Sequence, residues 1–159
     1  MTARHIFTAT ASFFILCAQA TAADRVVYKG DAGPGQGKHI LFIASDHEYR
    51  GEETCPSIAR IMAKRYGFKC TVLFGQNEAG LIKPGSSLIP GIEEIEKADM
   101  LFLFLRFVHP EDAWMEKFEG YLKRGGPVIG LRTTTHAFNG LKGKYAYHNY
   151  NGGDDDFVG

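Results

Sequence analysis

Three short stretches concentrate the side chains that can move protons or grip a polar ligand: Asp46-His47-Glu48-Tyr49-Arg50, Arg106-Phe107-Val108-His109 and Arg132-Thr133-Thr134-Thr135-His136. Glu48 and His136 are the candidate acid and base, since a carboxyl and an imidazole that reach one ligand can exchange a proton with it near neutral pH. Asp46, His47, Arg50, Arg106, Arg132 and Thr133 are the candidate ligand contacts. Arg106 and Arg132 each close an apolar run, where a guanidinium must meet either an anionic or polyol ligand or a carboxylate of the protein itself, Asp46 or Glu48. Both readings stand at this point, and a charged loop residue taken singly is ordinarily a solvated one. His136 is open in the same way, as an acid/base group or as a capped loop histidine. His47, His109 and His136 lack any His-x-x-x-His or Cys-x-x-Cys spacing, so neither a metal nor another cofactor is expected.

The elements that must position these stretches follow from the apolar pattern. His39–Ser45 is a continuous apolar run of the kind found in strands buried on both faces of a parallel sheet. A helix over 53–66 follows, with Ile58, Ile61 and Met62 on its inner face, Pro56 in its first turn and Gly67 as its stop. Lys69–Phe74 is a second strand, 75–91 a long polar connection, and 92–98 a short acidic helix. Met100–Leu105 is a third strand and 127–131 a fourth. Between them lies a helix over 111–124, acidic at its start and basic at its end as the macrodipole favours, with Trp114, Phe118, Tyr121 and Leu122 facing inward.

The order βαβαβαβ predicts right-handed crossovers and an α/β, flavodoxin-like doubly wound parallel sheet. Ligands of such sheets bind beyond the carboxyl ends of the strands. With the strands in the order second, first, third, fourth, the three polar stretches leave neighbouring strands and share one rim. Residues 24–38, rich in glycine, read as a flexible, exposed lead-in rather than as an element. Residues 133–159 show no apolar run longer than two, and a fourth strand without a neighbour leaves an apolar edge uncovered. These features predict a domain over 39–159 that is incomplete at its C-terminus; a polar tail on a finished domain is the alternative.

Several chemistries are excluded. The chain of 159 residues carries 18 Lys and Arg against 18 Asp and Glu, so bulk charge draws it neither to nucleic acid nor to a membrane surface. No Gly-x-Gly-x-x-Gly follows the first strand, and no Gly-x-x-x-x-Gly-Lys-Ser/Thr occurs, so nucleotide phosphate cradles lack their backbone. No Gly-x-Ser-x-Gly or cysteine elbow follows the fourth strand, which sets aside nucleophilic Ser or Cys catalysis.

Residues 1–23 open on Arg4, run apolar from Ile6 to Cys17 and end in small residues, the pattern of a secretory signal peptide cleaved after Ala20, Ala22 or Ala23. Its loss removes one base and no acid, taking the net charge from 0 to −1. Export to the periplasm or beyond is expected, with no membrane association after the leader is removed. An oxidising compartment would permit one Cys55–Cys70 bridge, but two small buried hydrophobes is the preferred reading.

The residues Ser45 to Arg50, Arg106-Phe107 and above all Gly130-Leu131-Arg132-Thr133-Thr134-Thr135-His136-Ala137-Phe138 resemble those of the ThuA-like (trehalose-utilisation) family, within the class I glutamine amidotransferase-like superfamily. The similarity runs from about Lys38 to the C-terminus. It implies a flavodoxin-like fold and a small carbohydrate-type ligand, such as a keto-sugar, bound or processed at the rim; assembly into an oligomer is compatible with it. Amidotransferases of that superfamily carry a nucleophilic cysteine in the turn after the fourth strand. Arg132-Thr133 stands there in this chain, so glutaminase activity is not implied. Family members also continue past the Gly159 end, which makes a non-catalytic binding module or an incomplete, inactive fragment the alternative to an active enzyme.

Overall fold

The structure, a computed structural model, describes residues 25–150. Its strands are β1 (Arg25–Lys29), β2 (His39–Ser45), β3 (Lys69–Phe74), β4 (Met100–Leu105) and β5 (Val128–Gly130). Its helices are α1 (Gly51–Tyr66) and α2 (Asp112–Lys123), with 3-10 turns at Ile92–Lys97, Arg132–His136 and Gly143–His148. One sheet takes all five strands in the order β1-β3-β2-β4-β5. The pairs β2–β3, β2–β4 and β4–β5 are parallel, so these four strands adopt the expected flavodoxin-like order.

The apolar runs do what their composition dictates. All seven residues of β2 are buried, because a central strand in a parallel sheet meets a layer on each face. Ile40, Phe42 and Ala44 pack with Cys55, Ala59 and Ala63 of α1, whereas Leu41 and Ile43 pack with Trp114, Met115, Phe118 and Tyr121 of α2. The two-residue period of the strand thus divides one run between two cores. On α1 the buried stripe is Gly51, Cys55, Ala59 and Ala63, at intervals of four. Small side chains let the helix lie close to the sheet. The bulkier residues expected inside are displaced to its flanks, and Ile61 is 54% exposed. Gly67 ends α1 at φ 82°, its N–H returning to the Ala63 carbonyl, and a Cβ there would lie 2.6 Å from the Ala32 oxygen. Only glycine fits both demands.

Two expectations are corrected. The segment 24–38 is not a flexible lead-in over its described part: Arg25–Lys29 forms β1, antiparallel to β3, with Arg25 paired to Leu73 and Lys29 to Lys69. Arg25 also holds Glu93 and Glu94 at 3.1 and 3.2 Å, fastening β1 to the 3-10 turn beyond β3. Gly30 and Gly35 then donate to the carbonyls of Phe68 and Tyr66, so the stretch is docked on the end of α1. The second correction concerns the alternative of a polar tail: residues 133–150 are built into the domain. Ala137, Phe138, Leu141 and Tyr145 are buried in the α2-side core although they form no periodic run. The leader over 1–23 and the residues 151–159 lie outside the described residues.

At the other edge β5 is short and open among the described residues, with Val128 39% and Ile129 44% exposed. Among the described residues no helix is long and apolar enough to cross a membrane. Cys55 and Cys70 are buried free thiols, and burial pushes them up to about 12 and about 11. Because the thiolate is the reactive form, native protein treated with iodoacetamide at pH 8 should leave both unmodified, and urea should make both react. Peptide mapping by mass spectrometry reads each site, and labelling of either in the native state would contradict this packing.

Candidate functional site

The carboxyl ends of β2, β4 and β5 are adjacent, and the backbone stitches their outgoing segments together. Arg106 N donates to the Ser45 carbonyl at 3.2 Å, Phe107 N to His136 O at 3.0 Å, and Val108 N to Ala137 O at 2.8 Å. Thr134 Oγ1 lies 2.9 Å from the Leu103 carbonyl and 3.0 Å from that of Leu131, fixing the first turn after β5 against β4. The three polar stretches therefore converge on one rim.

Asp46 is the innermost member, 1% exposed at the end of β2. Its Oδ1 accepts from the backbone N–H of Glu48 at 2.8 Å and of Tyr49 at 2.5 Å, and its Oδ2 accepts from Thr133 Oγ1 at 2.5 Å. Burial pushes the carboxyl up, but the bond from Thr133 and those from the two backbone amides outweigh it and hold the group below its ordinary value. Thr133 is itself 4% exposed. Asp46 and Thr133, expected to touch a ligand, are instead consumed by one another and by the β2 loop.

Arg106 lies over the rim with three partners. Its Nε is 2.8 Å from Glu48 Oε2, its Nη1 is 2.8 Å from His47 Nε2, and its guanidinium carbon stands 4.5 Å above the Phe107 ring. A guanidinium only donates, so His47 accepts through Nε2 and carries its proton on Nδ1. The Glu48 contact is a close ion pair out of line with the Nε–H, which is left buried without a hydrogen-bond acceptor. Glu48 is 42% exposed, so the pair contributes at most about 1 kcal/mol and can be exchanged for a ligand. Arg132 takes the other option: it is exposed, makes no described ion pair, and stacks 4.0 Å over the Tyr49 ring. Arg50 stands apart at the start of α1, exposed and paired with Glu53.

His136 does not join Glu48. Its Nδ1 is 3.1 Å from Thr135 Oγ1, and its ring packs against Phe107 and Tyr150 at 5.1 and 5.2 Å between centroids. It lines a cavity of about 420 Å³ on the α2 side of the sheet, with Leu103, Phe118 and Val128, whereas Asp46 and Arg132 belong to the α1 side with Tyr49. Glu48 does not line that cavity. Sequence reasoning missed Tyr49, Phe107 and Tyr150; Tyr49 and Phe107 each sit beside an arginine, whereas Tyr150 lies between two asparagines and gave no signal. Tyr147 and His148, also in the cavity wall, are tethered to Glu119 of α2, and that carboxyl is held down to about 2, first by Lys123 and then by the Tyr147 hydroxyl.

Three non-glycine residues have left-handed backbone: Arg50 at φ 55°, Phe107 at φ 52° and Arg132 at φ 47°. Phe107 and Arg132 stand just past β4 and β5, and Arg50 begins α1, so all backbone strain of this kind among the described residues lies in the segments leaving β2, β4 and β5. No group of three or more His, Cys, Asp or Glu among the described residues is arranged to hold a metal ion. Compared with protein-family models, curated proteins and solved structures, the chain matches none.

The Asp46 network makes a pH-dependent statement. A carboxyl depressed in the folded state contributes stability above its unfolded value of about 3.9 and loses it as the pH falls through the lower folded value. Asp46→Ala should therefore cost about 2–4 kcal/mol at pH 7 and less at pH 3, while Thr133→Val costs about 1–2 kcal/mol. Urea unfolding at both pH values checks this, and an Asp46→Ala deficit of equal size at both would refute it.

Proposed function

We propose that this chain is an exported α/β domain of ThuA-like type that binds a carbohydrate-type ligand at the carboxyl rim of its sheet. The observation that carries the reading is the left-handed backbone of Phe107 and Arg132, each just past the end of a neighbouring strand, with the same strain at Arg50 where α1 begins. Each such residue costs of order 1 kcal/mol that a glycine would not, and strain of this kind gathers at ligand-binding positions. The chemistry suits a polyol or sugar acid. Arg132 and Tyr49 present a guanidinium on an aromatic face, while Arg106 is paired with an exposed, exchangeable Glu48. A flat cation over a ring meets hydroxyl pairs or a carboxylate, and the ring meets the C–H face of a sugar.

Between binding and processing, the separation of the two acid/base candidates favours binding alone. Glu48 is engaged with Arg106, and His136 faces a cavity that Glu48 does not line. Cavities of about 410 to 590 Å³ open elsewhere, and none of these five is lined by Asp46, Glu48, Arg106 or Arg132. Glu48 and Arg132 are exposed, so they form a surface platform, suited to recognition more than to enclosing a reaction.

Calorimetry against a panel of neutral sugars, keto-sugars and sugar acids tests the reading. Arg132→Gly should leave stability within about 1 kcal/mol of the parent, because strain is relieved as unfolded-state entropy rises, yet weaken binding at least about tenfold. Binding unchanged by Arg132→Gly would overturn the rim as the site. Export is tested separately: the product recovered outside the cytoplasm should begin at Thr21, Ala23 or Asp24, as intact mass shows, and retention of Met1 would overturn it.

A further inference from the structure

We propose that the cavity lined by His136 is the second half of the rim site and takes a ring-sized apolar group, so that the preferred ligand is a glycoside bearing an aromatic aglycone. The proposal rests on the carbohydrate reading above and extends it to the other side of Phe107. That residue connects the two places: its ring lies under the Arg106 guanidinium at 4.5 Å and within 5.1 and 5.9 Å of His136 and Tyr150. His136 and Tyr150 in turn line the cavity. Rim and cavity are therefore separated by a single side chain, whose backbone is one of the three strained positions.

The cavity has the character that an aromatic group requires. Its volume is about 420 Å³, within the range of about 300–1,000 Å³ typical of small-molecule pockets. Phe118, Leu103 and Val128 supply an apolar wall, and Val128 and Leu122 remain 39% exposed, leaving apolar surface that an occupant would remove from water. His136 and Tyr150, tilted rings in the cavity wall with Phe107 packed behind them, give a further ring surfaces on which to stack, as offset and edge-on pairs prefer. His136 spends Nδ1 on Thr135, and its Nε2 has no described protein partner.

Matched methyl and phenyl glycosides of glucose, galactose and mannose, together with phenol, provide the test on the full-length protein. Trp114, the single tryptophan, has ring contacts at 5.7 Å with Phe118 and 6.0 Å with Phe138, both in the cavity wall, so its emission reports occupancy alongside calorimetry. At least one phenyl glycoside should bind tenfold or more tightly than its methyl partner and shift Trp114 emission. Val128→Lys should abolish the gain without altering methyl glycoside binding, with Val128→Thr as a milder variant should the first fold poorly. Arg132→Ala should weaken both members of a pair alike. Equal affinity for phenyl and methyl partners, with both still sensitive to Arg132→Ala, overturns the aglycone proposal and leaves the rim reading standing. Phenyl glycosides that bind no better than phenol and ignore Arg132→Ala overturn both. A concentration-dependent dimer that Val128→Lys dissociates, without discrimination between phenyl and methyl, overturns the proposal by assigning the cavity to a second copy.

Discussion

The rim is organised by one buried carboxylate. Asp46 has no water to lean on, so its two oxygens must be satisfied by the protein, and they are satisfied by groups from two chain segments 87 residues apart. One oxygen folds the loop after β2 over its own backbone amides; the other fixes the turn after β5 through Thr133. The direction in which Tyr49, Glu48 and Arg132 are presented follows from those bonds. The orientation of α1 does too, since it begins directly after this loop, with Gly51 against Phe104 and the Asp46 Cβ. A neutral or shorter side chain at position 46 would leave the surface residues in place by composition but not by geometry.

β2, β3 and β4 were legible because burial on two faces demands long apolar runs, and both helices because their apolar residues recur at helical spacing. β1 escaped because an edge strand needs no such run. Val26-Val27-Tyr28 was a β-favouring triplet hidden by the glycines after it, and its faces are largely exposed. The turns after β5 escaped for the opposite reason: Phe138, Leu141 and Tyr145 are buried singly, with no period that a helix or strand would impose.

The candidate site was legible as a location and not as an assignment of roles. Strand order alone predicts that the stretches after β2, β4 and β5 converge. Which side chains turn inward depends on local backbone that no spacing encodes. Asp46 and Glu48 differ by two residues, yet the first is sealed in and the second lies in solvent, because the chain folds back on Asp46 at once. Likewise Thr133 and His136 sit in the same short turn, but three residues of 3-10 helix carry one to the α1 side and the other to the α2 side.

The amide-to-carbonyl bonds that run between neighbouring rim segments have a thermodynamic side. Loops held to each other by Phe107 N–H to His136 and Val108 N–H to Ala137 have surrendered their conformational freedom during folding. A molecule settling on them would freeze mainly its own torsions, which favours rigid, cyclic guests over flexible chains of equal polarity. The same backbone stiffness confines any adjustment of the rim to its exposed side chains, Glu48 and Arg132 among them.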